Sequence, residues 1–321
     1  MRIDIHAHYF PAEYLDTLDR FGSDATAICR DLRAGGDRSD LDARFEMMDS
    51  AGVDVQVLST AAAPPYFEKE DDAVAAARLG NDLHAEIVAA YPARFRAFAV
   101  TPLPHVAACI DEVGRALDDL DMAGVTVASS VLGHSLADPA FEPFYAELDR
   151  RGSTVLVHPA SMGAGSPLIV DHDLTWMLGA PMEDTLAVLH PIRSGVATHY
   201  RQIRFVVCHL GGALPLLLPR LDRLSIWEAP DMPERPSCAA RRFWYETTAH
   251  GHVPALRAAV DTLGADRLVL GSDYPYQQDE WYDRAVSYVR DAGLDAQDEE
   301  AILGGNAAPL VGLVAGTPAD P

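Results

Sequence analysis

Lysine is almost missing from this chain: of 321 residues only Lys69 is one. It sits in FEKEDD, beside acidic residues and just ahead of a helical pattern, which suits a solvated, salt-bridging side chain. Basic residues are scarce altogether, 25 Lys and Arg against 48 Asp and Glu, for a formal charge of −23. Nucleic acid and anionic membrane surfaces are therefore excluded as expected partners, since both need a basic face. An anionic substrate would have to be held by local arginines against the global field. The four cysteines (Cys29, Cys109, Cys208, Cys238) form no C-x-x-C pair, which fits reduced thiols and a cytoplasmic setting. No apolar run approaches the length of a membrane span. No basic stretch followed by an apolar one opens the chain, so a signal peptide is not expected. Repeats, low-complexity tracts and Pro/Ser-rich linkers are also missing, and only residues 315–321 read as a flexible tail.

What is present is a regular alternation. Apolar residues make up 49% of the chain, ample for a core. Short β-branched runs predict strands near 2–8, 53–60, 95–102, 125–129, 154–158, 204–209, 243–248 and 267–273. Amphipathic patterns between them predict helices over 41–52, 72–91, 109–120, 143–152, 181–200, 215–227, 254–264 and 281–293. Strands alternating with helices imply parallel pairing with right-handed crossovers. Eight such units point to an α/β fold, a (β/α)8 TIM barrel, as one domain over residues 1–314. A doubly wound open sheet is the competing architecture, but no G-x-G-x-x-G follows the first strand. Irregular stretches at 21–40, 159–180 and 228–242 read as insertions; the first two leave the C-terminal ends of strands, where a barrel builds its pocket.

The opening IDIHAHYF places two histidines one residue apart. Strict strand alternation predicts that Asp4, His6 and His8 share one face and Ile3 and Ile5 the other. Imidazoles so placed, about 7 Å apart along the strand, can converge on one cation, although a polar-faced edge strand would also explain them. Further polar residues end other apolar runs: His158 in TVLVHPA, His209 in FVVCHLGG and Asp273 in LVLGSDYP. Four buried histidines and an aspartate at strand ends would each carry a desolvation cost unless hydrogen-bonded or bound to metal.

The motifs HAH, VHP, HLGG and GSDYP, in that order and on those strands, resemble the amidohydrolase superfamily, and within it the aminocarboxymuconate semialdehyde decarboxylase branch. The resemblance runs from residue 2 to about residue 310 and includes RFEMMDSAGVDVQVLS at 44–59. It implies that His6, His8, His158 and Asp273 hold one divalent metal ion, zinc first, with manganese or iron as alternatives. His209 becomes the catalytic acid/base, and Asp273 either a ligand or a base beside the ion. Superfamily members with two metals often bridge them with a carboxylated lysine on the fourth strand. VTVASS has none there, so a single ion is expected. The resemblance also implies substrate contacts from Arg44, from Arg220 reaching across a homodimer interface, and from Trp176. The chain departs from the branch in the 21–40 loop and near TTAHG (247–251), where His250 and His252 either reach the site or cap a turn.

The expected activity is a cytoplasmic, metal-dependent, non-oxidative decarboxylase of an unsaturated or aromatic carboxylic acid. The alternatives are a hydrolase of an ester, lactone, thioester or amide, or a hydratase, built on the same residues.

Overall fold

The structure, a computed structural model, describes residues 1–313; the expected tail at 315–321 and the expected domain end at 314 lie outside the described residues. Eight strands form one sheet: β1 (Ile3–His8), β2 (Val55–Ser59), β3 (Phe95–Val100), β4 (Gly124–Ala128), β5 (Thr154–His158), β6 (Arg204–Val207), β7 (Trp244–Glu246) and β8 (Leu268–Val269). Each pairs in parallel with the next in chain order. Backbone bonds from Ile5 N to Leu270 O (2.9 Å) and from Asp273 N to His6 O (2.8 Å) bring the last segment back to the first. A TIM barrel results, as expected.

The helices that cover it are α1 (Ala12–Arg20), α2 (Arg38–Ala51), α3 (Glu70–Ala90), α4 (Val106–Gly114), α5 (Glu142–Arg151), α6 (Ala180–Ser194), α7 (Leu214–Glu228), α8 (Val253–Leu263) and α9 (Glu280–Asp291). Helix α1 was not among the expected ones; it lies in the βα insertion and buries Tyr14, Leu15 and Leu18. Among the described residues no helix is long and apolar enough to cross a membrane.

Apolar side chains divide into two layers. Ala7, Leu58, Val125, Val127, Val155 and Val207 pack outward against helix residues such as Met48, Val113 and Val188. Ile3, Ile5, Val55, Val57, Phe98, Leu156, Val206 and Val269 fill the inside, closed at the N-terminal end by Ala307, Leu310 and Val311. The polar residues are left at the C-terminal end.

The first strand corrects the expected alternation. Its register against β2 slips between Asp4 and Ala7, so that three residue steps face two on the partner. Ile3 and Ile5 both join the interior cluster, while Ala7 joins the outer one. Asp4 faces the helix layer: its carboxylate accepts bonds from Ser272 N (2.9 Å), Ser272 Oγ (2.6 Å) and Gln56 Nε2 (2.9 Å). The bulge returns His6 and His8 to the interior above the apolar layer. Without it, one period-2 strand could not put Ile3 and His6 on the same side.

The sixth and eighth strands end earlier than the sequence suggests, at Val207 and Val269. His209, Leu210 and Asp273 have φ of 52°, 57° and 61°, left-handed values that take the chain out of extended geometry. For residues other than glycine such conformations are costly and concentrate at functional sites.

Candidate active site

His6 and His8 rise from β1, His158 from the end of β5, His209 from the turn after β6 and Asp273 from the turn after β8. Four of these residues offer ligand atoms that lie within 4.8 Å of one another: His6, His8, His158 and Asp273. His6 Nε2 and His8 Nε2 are 3.2 Å apart, and Asp273 Oδ1 is 3.3 Å and 3.1 Å from them. Adjacent ligands of a tetrahedral ion, at about 2.0–2.2 Å from it, stand about 3.3–3.6 Å apart, so this spacing fits a bound cation. Three imidazole nitrogens and a carboxylate oxygen suit a borderline divalent ion. Two buried nitrogens aimed at one oxygen and at each other are otherwise hard to satisfy together.

Electrostatics favour two of the three imidazoles as neutral donors, whereas for His6 burial opposes protonation but Glu246 and Asp273 outweigh it and raise its pKa above the ordinary range. Burial drives His8 down to about 4 and His158 well below the usual imidazole range, keeping both neutral and able to donate a lone pair. Burial works against a charge on Asp273, but the neighbouring His6, His209 and His8 hold its carboxyl well below the usual range. Those neighbours favour its anionic form.

His209 stands beside this set, its Nε2 3.9 Å from Asp273 Oδ2. Its other nitrogen, Nδ1, lies 2.8 Å from Asp184 Oδ2. Burial opposes protonation, but Asp184, with Asp273 and Glu246 nearby, holds the His209 imidazolium well above its ordinary range. Asp184 therefore fixes the ring so that Nε2 can hold or release a proton into the cavity. The HLGG turn makes this contact possible. Gly212 has φ +64°, and a Cβ there would sit 1.8 Å from Pro181 O on α6, the helix that carries Asp184.

Two acidic residues that belong to the site were not expected from the sequence. Asp184 lies within an amphipathic helix pattern, where only its full burial marks it. Glu246 is the acid in the apolar run FWYETT, a signal that was readable; its Oε1 lies 3.1 Å from His6 Nδ1. Gly271 makes room for it, since a Cβ there would meet Glu246 Oε2 at 2.0 Å. Next to Asp184, the buried Glu183 accepts bonds from the backbone nitrogens of Ala160, Met162 and Ala164 and so tethers the loop after β5.

A cavity of about 850 Å³ opens above the cluster, with His158, His209 and Asp273 in its floor and Trp176, His250 and Tyr276 among its walls. The structure does not bring the two expected arginines to it. Arg44 on α2 is 1% exposed and lies behind β1. Its guanidinium donates to Gln56 Oε1 (3.0 Å) and to the His8 carbonyl (2.7 Å) and stacks over Tyr274 at 4.3 Å. Direct contact with a substrate has no geometric support there, because the bulged strand separates Arg44 from the cavity. Arg220 is exposed on α7, outside the cavity of its own chain. His252 is exposed at the start of α8. Lys69 binds Asp72 at 2.8 Å in solvent, as expected.

Comparison with known proteins agrees with this fold. The chain is 27% identical to a 2-amino-3-carboxymuconate-6-semialdehyde decarboxylase of Dictyostelium discoideum, over 98% of this chain and 92% of that protein. It is 29% identical to a 6-methylsalicylic acid decarboxylase of Penicillium expansum, over 85% of each. A crystal structure of a dihydroxybenzoic acid decarboxylase from Polaromonas sp. JS666, with bound manganese and the inhibitor 2-nitroresorcinol, superimposes with a TM-score of 0.84. That similarity has 23% identity and covers 97% of this chain and 96% of that one. The family model described as amidohydrolase matches residues 3–313. A match running from the first strand through the segment that closes the barrel is a match to the whole fold, and the chain belongs to the amidohydrolase family.

Proposed function

We propose that the protein is a metal-dependent, non-oxidative decarboxylase of an aromatic or unsaturated carboxylic acid. The observation that carries this reading is the meeting of His6, His8, His158 and Asp273 beneath an apolar cavity, with a tethered His209 beside them. The decarboxylase activity of the relatives supports it over hydrolysis of an ester, lactone, thioester or amide, or hydration. His6, His8, His158 and Asp273 would hold one divalent ion; zinc best suits the donor set, and the manganese of the Polaromonas structure makes that ion the alternative. Such an ion supplies Lewis acidity, drawing electron density from a substrate oxygen.

His209 performs the proton transfer. With Nδ1 held by Asp184, the imidazolium delivers the Nε2 proton to the carbon that bears the carboxylate. The bond from that carbon to the carboxylate then breaks, its electron pair returns to the ring or double bond, and carbon dioxide leaves. The apolar cavity walls hold the ring. Trp176 offers a stacking face, and Arg220 is proposed to act in the cavity of a partner within a cytoplasmic homodimer. Mixing inactive Arg220→Ala and His209→Ala chains should restore part of the activity if the site is shared.

The test of the activity is carbon dioxide release measured beside ester and lactone cleavage, on a panel of acids and neutral esters. Release from an acid, with about one ion per chain by elemental analysis, supports the proposal. Cleavage of neutral esters alone would transfer the site to the hydrolase reading. His158→Ala should lose the ion and the activity together, whereas His209→Ala should keep the ion and lose turnover.

A further inference from the structure

The composition of the cavity wall carries a statement about the substrate that the family match does not. Beyond the floor, the wall is built chiefly from Ile28, Leu32, Met177, Leu210, Pro215 and Leu216. Alanines widen it where α8 passes, at Ala255 and Ala258. The volume, about 850 Å³, lies in the upper part of the range of about 300–1,000 Å³ that encloses drug-sized ligands. A single ring with a carboxylate would contact the floor and leave most of this apolar surface without partner atoms.

The cations of the wall are few. Arg30 is the one arginine among the lining residues, and its Nη2 is held by Asp16 at 2.8 Å and Asp19 at 2.5 Å. Two carboxylates on one guanidinium leave no net positive charge for a third. Arg44 is committed behind β1, and Lys69 is outside the cavity. This chain's own wall thus offers no free arginine or lysine among the described residues, which favours an apolar substituent over a charged one.

We infer that the substrate is a carboxylic acid whose ring or conjugated system carries an extended apolar substituent, an alkyl chain or a second ring. The carboxylate end faces the histidine floor and the substituent lies along the wall formed by Ile28, Leu210 and Ala255. This rests on the decarboxylase reading only for the chemistry; the binding preference follows from the cavity alone.

Two acids test it on the metal-loaded protein: a hydroxybenzoic acid and the same acid with a four-carbon alkyl chain on the ring. Equilibrium titration measures binding, and carbon dioxide release measures turnover. Each buried methylene is worth about fourfold in affinity, so the alkylated acid should bind at least tenfold more tightly than its parent. Ala255→Trp, which fills the wall, should compress the ratio of the alkylated to the parent acid toward one. Equal affinities for the parent and alkylated acids would overturn the inference whatever the turnover. The predicted ranking without carbon dioxide from any acid would leave it standing and remove the decarboxylase reading.

Discussion

Asp184 and Arg44 illustrate how differently two buried polar side chains can serve the same floor. Asp184 touches the proposed proton carrier and none of the other four histidine-floor residues by hydrogen bond, so its effect should pass through His209. Asp184→Asn keeps the shape but disturbs the tautomer and the charge of the ring. Turnover should fall by about 10²–10⁴-fold while metal content measured by elemental analysis stays unchanged. Arg44 acts on the backbone instead. Replacement by Ala leaves Gln56 Oε1 and the His8 carbonyl without their donor and opens a cavity under Tyr274. The expected cost is about 2–5 kcal/mol of stability, seen in chemical unfolding, with the Michaelis constant of the folded fraction near that of the wild type. A rise of tenfold or more in that constant at unchanged stability would return Arg44 to the substrate.

At the scale of single elements, α3 carries a pH-sensitive contribution far from the chemistry. His84 is buried on its inner face, Nδ1 donating to Gly80 O at 2.8 Å and the ring packed edge-on against Tyr9. Burial lowers its pKa to about 4. An unfolded chain protonates this residue near pH 6.5, before the folded one does, so the unfolded state binds more protons between those values. Stability from His84 is therefore complete above about pH 6.5 and declines as pH falls toward 4, by up to about 3 kcal/mol. Urea midpoints measured from pH 7 to pH 4 should fall, and His84→Gln should make that fall shallower, with His8 and His158 supplying the rest. The β1 bulge is the other element that decides function: it places apolar residues below and imidazoles above within six residues.

For the molecule as a whole, net charge sets how an anion arrives. A field from −23 charges repels a carboxylate at long range, and salt screens that repulsion over about 10 Å at 0.1 M. The specificity constant for an anionic substrate should rise between about 0.01 and 0.15 M ionic strength, while that for a neutral ester should hardly change. A fall with added salt would show instead that a local positive field around the floor dominates.

Much of this was readable in the chain. Alternation of apolar runs and amphipathic segments is a local property, and it sufficed for the barrel and for the order of its strands. Histidines and an aspartate ending those runs had to lie on one rim, because parallel strands of a barrel all end on the same side. Other features depended on contacts between distant segments. Strand alternation alone put Asp4 beside His6, and only the pairing of β1 with β2 revealed the slip that separates them. Strand ends at Val207 and Val269 followed from left-handed turns that propensity does not register. The direction in which Arg44 points, the approach of Asp184 to His209 and the sealing of Arg30 by Asp16 and Asp19 are set by how helices and loops pack. Residue type and spacing determine which chemistry the strand ends can support. Which charges reach the cavity is decided by desolvation and packing across elements far apart in the chain, and that is a property of the tertiary structure alone.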